Sequence, residues 1–168
     1  FITVPDNVIT EVYRQVAEFE IQDKYICHCS GACTAEEAFP GIHAQGAYAI
    51  SIHLLFPISS KYNCWRELAG AFFCVEGDAQ AVEVFVPLLR GLGLQVQTIS
   101  PESKAQYHLS CALASNFVCA LVQRSAELLG GCGFSQTDAL HALAPLMRSN
   151  LAHVIEHGAV SALTGPIE

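Results

Sequence analysis

The chain has 168 residues, 52% of them apolar and only 14% charged, with a net charge of −8 at neutral pH. The acidic balance argues against a nucleic-acid surface, which needs clustered Lys and Arg. The apolar excess predicts an ordered protein with a buried protein interface. No uninterrupted apolar run reaches the ~20 residues that span a bilayer, so no membrane association is expected.

Eight cysteines can signal a disulfide framework, but Cys111 and Cys119 fall in an apolar helical pattern and Cys74 in the strand-like run Ala71-Phe72-Phe73-Cys74-Val75. Cysteine in such places acts as a small hydrophobe. A reduced, cytoplasmic protein is therefore expected.

In chain order, Phe1-Ile2-Thr3-Val4 reads as a strand running into the turn Pro5-Asp6. Val8, Ile9, Val12, Val16 and Phe19 then recur with a helical period. A strand over 25–29 ends in the small, polar turn Cys29-Ser30-Gly31, and Thr34 with Glu37 forms a capping box for a short helix. Residues 47–53 read as a strand, followed by a loop to about Gly70 and a strand over 71–76. Asp78 is expected to cap a helix that Gly91 and Gly93 stop, and 94–99 forms the last strand. Helices between strands imply a largely parallel sheet.

The pattern changes at Ser100-Pro101-Glu102, a strong helix start. No breaker follows until Gly130-Gly131, so one helix of almost thirty residues is predicted, apolar nearly all round and therefore buried. A further helix runs from Ser135 to a Gly158 cap, bent at Pro145, and Thr164-Gly165-Pro166 signals a turn. The fold class is thus α/β followed by all-α, with domains 1–100 and 101–168.

Turns at successive strand ends are the carboxyl edge at which α/β sheets bind ligands. No Gly-x-Gly-x-x-Gly turn precedes them, which points to a dinucleotide-binding sheet lacking its first βαβ unit. On the long helix Lys104, His108 and Ser115 fall on one face, with Asn116 beside Ser115 and Tyr107 beside His108. A cation, an imidazole and an amide in one strip can hold a carbonyl or carboxylate and pass it a proton; the alternative is that Lys104 and His108 are simply the solvated first two turns. The 28–31 turn either faces a cofactor or is an ordinary connection, and His53 is either an acid–base group or a hydrogen-bonded bystander. Cys27, Cys29 and Cys33 with His28 are dense soft ligands but lack the second pair of a structural zinc site, so no metal is expected.

The run His28-Cys29-Ser30-Gly31, Ser51-Ile52-His53, Glu76-Gly77-Asp78, Lys104 with Tyr107-His108, Ala114-Ser115-Asn116 and Ala162-Leu163-Thr164-Gly165-Pro166-Ile167 resembles a family of Rossmann-like bacterial NADP oxidoreductases. Their second half is a helical domain of unknown function. The family is similar in architecture to pyrroline-5-carboxylate reductase, ketopantoate reductase and 6-phosphogluconate dehydrogenase. The resemblance implies a Rossmann domain with NADP as cofactor and a helical domain that forms a homodimer. It places Val4, Pro5 and Asp6 along the cofactor and Cys29, Ser30 and Gly31 near the nicotinamide. It makes Lys104 and Asn116 catalytic, with His108 assisting proton transfer, and puts Ser30, His53 and Ser115 against the substrate.

The implied activity is hydride transfer between nicotinamide and a small carbonyl or imine. Replacing Lys104 with Ala is then expected to lower turnover and leave folding intact. A non-catalytic nucleotide-sensing or dimerisation module fits the greasy 101–129 segment equally well, and His53 suggests a decarboxylating dehydrogenase as a third reading. Three departures from the family stand out: the glycine-rich loop is absent, Leu54 follows His53 in place of Pro, and Glu168 ends the chain inside a motif that continues to Arg-Gly-Asp. The chain is accordingly expected to be a fragment trimmed at both ends.

Overall fold

A computed structural model of the chain describes residues 1–58, 60, 62 and 64–163. The Thr164-Gly165-Pro166 turn lies outside the described residues. The chain divides into two compact units, Phe1–Cys111 and Ala112–Glu168.

The first unit is built on four strands: Tyr25–His28 (β1), Tyr48–Leu55 (β2), Phe72–Gly77 (β3) and Gln95–Thr98 (β4), in the order β1-β2-β3-β4. β1 and β2 are parallel, β2 and β3 antiparallel, and β3 and β4 parallel. The expected first strand shrinks to a bridge in which Ile2 pairs with His28. His28 is the last residue of β1, so Thr3 and Val4 run past the end of their only neighbour and find no ladder to join.

Alternation along the strands sorts residues onto two faces. One face meets helices Ile9–Val16 (α1) and Ala35–Ala38 (α2) through Ile9, Tyr13, Ile26, Phe39 and Ala49. The other meets Ala79–Gly91 (α3) through Cys27, Ile50, Ile52, Val75 and Val86. The antiparallel β2–β3 pairing brings Gly77 so close to β2 that a Cβ there would strike the Ala49 carbonyl oxygen, and its φ of 144° admits glycine alone.

The capping box forms as read: the Glu37 N–H donates to Thr34 Oγ1 at 3.1 Å and the Thr34 N–H to Glu37 Oε2 at 3.0 Å. Asp78 stands at the N-cap of α3 but does not cap it. Its carboxylate accepts instead from the Ala49 N–H at 2.7 Å and pairs with His43 at 2.9 Å, because β2 runs alongside and offers a closer donor. Ser100 likewise makes no side-chain cap; its hydroxyl bonds Ser103 at 3.2 Å across the 3₁₀ turn Pro101–Ser103.

The predicted long helix is two helices, Lys104–Ala114 (α4) and Asn116–Gly131 (α5), separated where Ser115 leaves helical geometry at φ −123°, ψ −79°. Ser followed by Asn favours caps and turns over helix interiors, and here that preference prevails. The segment is also not buried in this chain: Leu109, Leu113, Phe117, Leu121 and Leu128 are all exposed. In the second unit α5 packs on Gln136–His157 (α6) through small residues, Ala126 and Ala139 being buried. α6 continues unbroken through Pro145. By length and mean hydropathy Pro101–Gly131 also meets the mark for crossing a membrane, the single such stretch among the described residues.

Candidate functional site

The carboxyl ends of the Ile2 segment and β1 are adjacent, and their turns are tied together. Ser30 donates its hydroxyl to Asp6 Oδ2 at 2.7 Å and accepts from the Ala32 and Cys33 N–H groups at 3.1 and 3.0 Å. The Ser30 side chain is therefore committed to holding the 29–33 loop against the Val4-Pro5-Asp6 turn. Val4 packs into the core, while Pro5, Asp6 and Cys29 remain exposed at this edge. The Cys29 thiol titrates below the usual range because Cys27, buried and held protonated, hydrogen-bonds it.

Beneath the turn, strand register lines up His28, Ser51 and Glu76 across β1, β2 and β3. All three are buried on the α2 face. Lys104, from the first turn of α4, closes over them. Its ammonium donates to Glu76 Oε1 at 2.9 Å and to the Ser51 hydroxyl, and Ser51 in turn donates to the Ser30 carbonyl at 3.3 Å. Glu76 Oε1 also accepts from the Ala35 N–H at 2.8 Å. A cation this deeply buried needs such a set of partners. The reading of Lys104 as a solvated first-turn residue is thereby excluded.

His53 lies two residues beyond Ser51, past the end of β1, and so overhangs the Cys29–Gly31 turn. Its Nδ1 is 2.6 Å from the Tyr107 hydroxyl of α4. The exposed His108, one residue on, faces the same turn: a Cβ added to Gly31 would lie 2.8 Å from His53 Nε2 and 3.0 Å from His108 Nδ1. Gly31 thus lets two imidazoles close against the backbone of the turn. Burial, then the Lys104 and His108 charges, lower the pKa of His53, so it is neutral at physiological pH. Burial and then Lys104 push the pKa of His28 down to about 4. Its Nδ1 accepts from the Ser30 N–H at 3.1 Å.

Asn116 and Ser115 open α5 in the second unit, and the break at Ser115 removes the helical phase that carried them onto the face of Lys104. Sequence reasoning passed over Ser51 and Glu76 as chemistry, although a carboxylate inside the apolar run 71–76 was itself a signal that a buried cation must meet it. On the opposite face of the same edge is an apolar cleft of about 490 Å³, lined by Cys29, Ile52, His53, Leu54, Phe73 and Phe85 among others. Among the described residues no cluster of His, Cys, Asp or Glu is arranged to hold a metal ion.

A family model described as "Domain of unknown function (DUF2520)" matches residues 71–168. Protein TM1727 from Thermotoga maritima is 26% identical, with a TM-score of 0.75 over 98% of this chain and 61% of that one. BF3122 from Bacteroides fragilis, named as a candidate NADP oxidoreductase, is 18% identical, with a TM-score of 0.71 over 98% and 60%. Pyrroline carboxylate reductase from Plasmodium falciparum, solved with NADP bound, is 8% identical, with a TM-score of 0.57 over 99% and 65%. The chain therefore has a Rossmann-like α/β sheet followed by helices, and it spans about 60% of the length of the first structures it matches. No curated protein matches it.

Proposed function

This chain belongs to the DUF2520 family, and we propose that its first unit is the substrate-side wall of an NADP-dependent oxidoreductase acting on a small carbonyl or imine. The observation that carries this reading is the convergence of His53 and His108 on the Gly31 turn. A ligand at the carboxyl edge of the sheet meets both imidazoles there, with His53 Nε2 and His108 Nδ1 lying against the turn. These residues fit the nicotinamide end of a dinucleotide: the exposed Pro5, Asp6 and Cys29 border the turn against which the two imidazoles lie. When bound, the dinucleotide supplies the hydride. The names of the two matched oxidoreductases support the same cofactor.

The chain's own residues divide the remaining work. His53 and His108 meet the reacting oxygen or nitrogen. Lys104 acts from beneath, fixing the turn through Ser51 and the Ser30 carbonyl and keeping His53 neutral by its charge. Asp6 and Ser30 hold the two edge turns together.

The helical unit is assigned to self-association. Phe117, Leu121 and Leu128 leave an apolar stripe on α5, and Leu151 and Ile155 another on α6. A second copy of the chain suits this surface better than lipid. The 101–131 stretch is interrupted at Ser115 and its first turns are pinned to the sheet by Lys104, whereas a membrane span needs its backbone bonds continuous.

Titration of NADPH and NADH into the intact gene product, followed by nicotinamide fluorescence, tests the reading. Saturable binding that Gly31→Leu abolishes supports it. Absence of binding by either dinucleotide to the folded wild-type protein overturns it.

A further inference from the structure

The bond between Tyr107 and His53 has a direction. Tyr107 is flanked by Cys74 and Cys111, and burial together with those sulfurs holds its phenol proton well above the usual range. At 2.6 Å the contact is short for an N–H···O bond and ordinary for a hydroxyl donor, so the phenol donates and His53 Nδ1 accepts. The two rings also meet edge to face, centroids 5.5 Å apart and planes at 84°, which fixes the imidazole in rotation as well as position. Cys74 is the cross-strand partner of His53, so strand pairing and α4 hold the ring from two sides.

An imidazole that accepts at Nδ1 carries its proton on Nε2 when neutral. That nitrogen is the one against Gly31. The groups around it are Lys104, Tyr107 and His108 from α4, Cys74 from β3 and Asp6 from the edge turn; burial, then Lys104 and His108, oppose a second proton, and Asp6 favours it less strongly.

We propose that Tyr107 locks His53 as its Nε2–H tautomer, so that the site presents a neutral N–H donor and takes a carbonyl compound in preference to a protonated imine. This rests on the oxidoreductase reading above. A carbonyl oxygen has lone pairs to accept from Nε2–H. A protonated imine has none, and it sets an N–H and a positive charge against an N–H donor backed by Lys104. In the reducing direction the carbonyl carbon gains a hydride from the reduced dinucleotide, which is oxidised. The carbonyl π pair moves to oxygen, where Nε2–H stabilises it. That oxygen then gains a proton from water, relayed by the exposed His108. Tyr107 touches no reacting atom and is a positioning residue.

The test is a long-range ¹H–¹⁵N correlation spectrum of the imidazoles in the intact, ¹⁵N-labelled protein near neutral pH, with His53 assigned by its loss in His53→Gln. The expected spectrum shows His53 protonated at Nε2 and bare at Nδ1, and Tyr107→Phe, with its fold checked by circular dichroism, yields a mixture of both tautomers. A wild-type His53 protonated at Nδ1, or a folded Tyr107→Phe protein with an unchanged tautomer, overturns the lock. Should Tyr107→Phe not fold, the wild-type spectrum decides. With NADPH, a ketone and aldehyde panel is expected to turn over at least tenfold faster than a cyclic imine panel at a pH where the imine is protonated; the reverse order overturns the substrate class. Failure to bind either dinucleotide sinks the oxidoreductase reading and the substrate class with it, while the tautomer is still decided by the spectrum.

Discussion

Lys104 and Glu76 meet at 2.9 Å with their side chains only 3% and 2% exposed, joining helix α4 to the centre of the sheet. An ion pair so shielded is costly to leave half-made. Removing one partner strands a buried charge at about 3–5 kcal/mol, whereas replacing both with apolar groups of similar volume is near neutral. Glu76→Gln and Lys104→Ala are each expected to lose about 3–5 kcal/mol in urea unfolding, with most of it restored in Lys104→Met/Glu76→Leu. A loss under ~1 kcal/mol in both single variants would remove the pair from the account. The expectation from sequence that Lys104→Ala spares folding is revised accordingly.

Acid should weaken the fold through His28. Its folded pKa of about 4 lies below the ordinary 6.5, so the unfolded chain binds the extra proton more readily. Stability is fully present above the ordinary value and is lost as pH falls toward the folded one, at up to about 1.4 kcal/mol per pH unit. His53, also lowered, acts in the same sense. His28→Asn keeps an acceptor for the Ser30 N–H and cannot titrate, so its stability should vary less over that window. Parallel wild-type and variant slopes would show that His28 is not the sensor.

Two glycines separate folding from function. At Gly77 an added Cβ would meet backbone, with Ile50 Cα at 2.8 Å, and the φ is closed to other residues. Gly77→Ala should cost more than about 3 kcal/mol or yield no soluble protein. At Gly31 the obstruction is side chain, not backbone, and the exposed His108 can swing aside. Gly31→Ala should cost about 1 kcal/mol in thermal unfolding and yet depress kcat/KM by tenfold or more. Equal effects of the two changes on stability would contradict this division.

The apolar stripe on α5 can be charged at two exposed positions. Leu121 is 68% exposed and Leu128 60%, so Leu121→Glu/Leu128→Glu should leave the melting temperature of an isolated subunit little changed. In light scattering it should convert a dimer to a monomer. A wild-type protein already monomeric at micromolar concentration would remove the second copy from the account.

Local chemistry made much of this fold legible. The capping box at Thr34 and Glu37, the helix after Gly77 and the strand ending in Cys29-Ser30-Gly31 depend on residues within a few positions of each other, and they formed where the sequence placed them. What depends on partners far along the chain was not legible. Thr3 and Val4 have strand character but no paired strand among the described residues, and Asp78 gave its carboxylate to Ala49 on another strand. Ser51 and Glu76 became part of the site only because strand register set them beside each other and α4 returned Lys104 over both, 53 and 28 residues away. The Ser115-Asn116 pair was readable as a break, but its apolar surroundings concealed it. Tyr107 looked like a flank of His108, and its bond to His53 appears only with the helix laid on the sheet.

The central claim is that the Gly31 turn, with His53 and His108 against it, is where a hydride meets a carbonyl. The most direct measurement is nicotinamide absorbance during incubation of the intact protein with NADPH and a panel of small aldehydes and ketones, for wild type and Gly31→Ala. The account predicts oxidation of NADPH with at least one carbonyl compound in the wild type, reduced tenfold or more in a folded Gly31→Ala protein. NADPH binding with no oxidation across the panel would contradict it and favour a nucleotide-sensing or dimerisation module on the same fold.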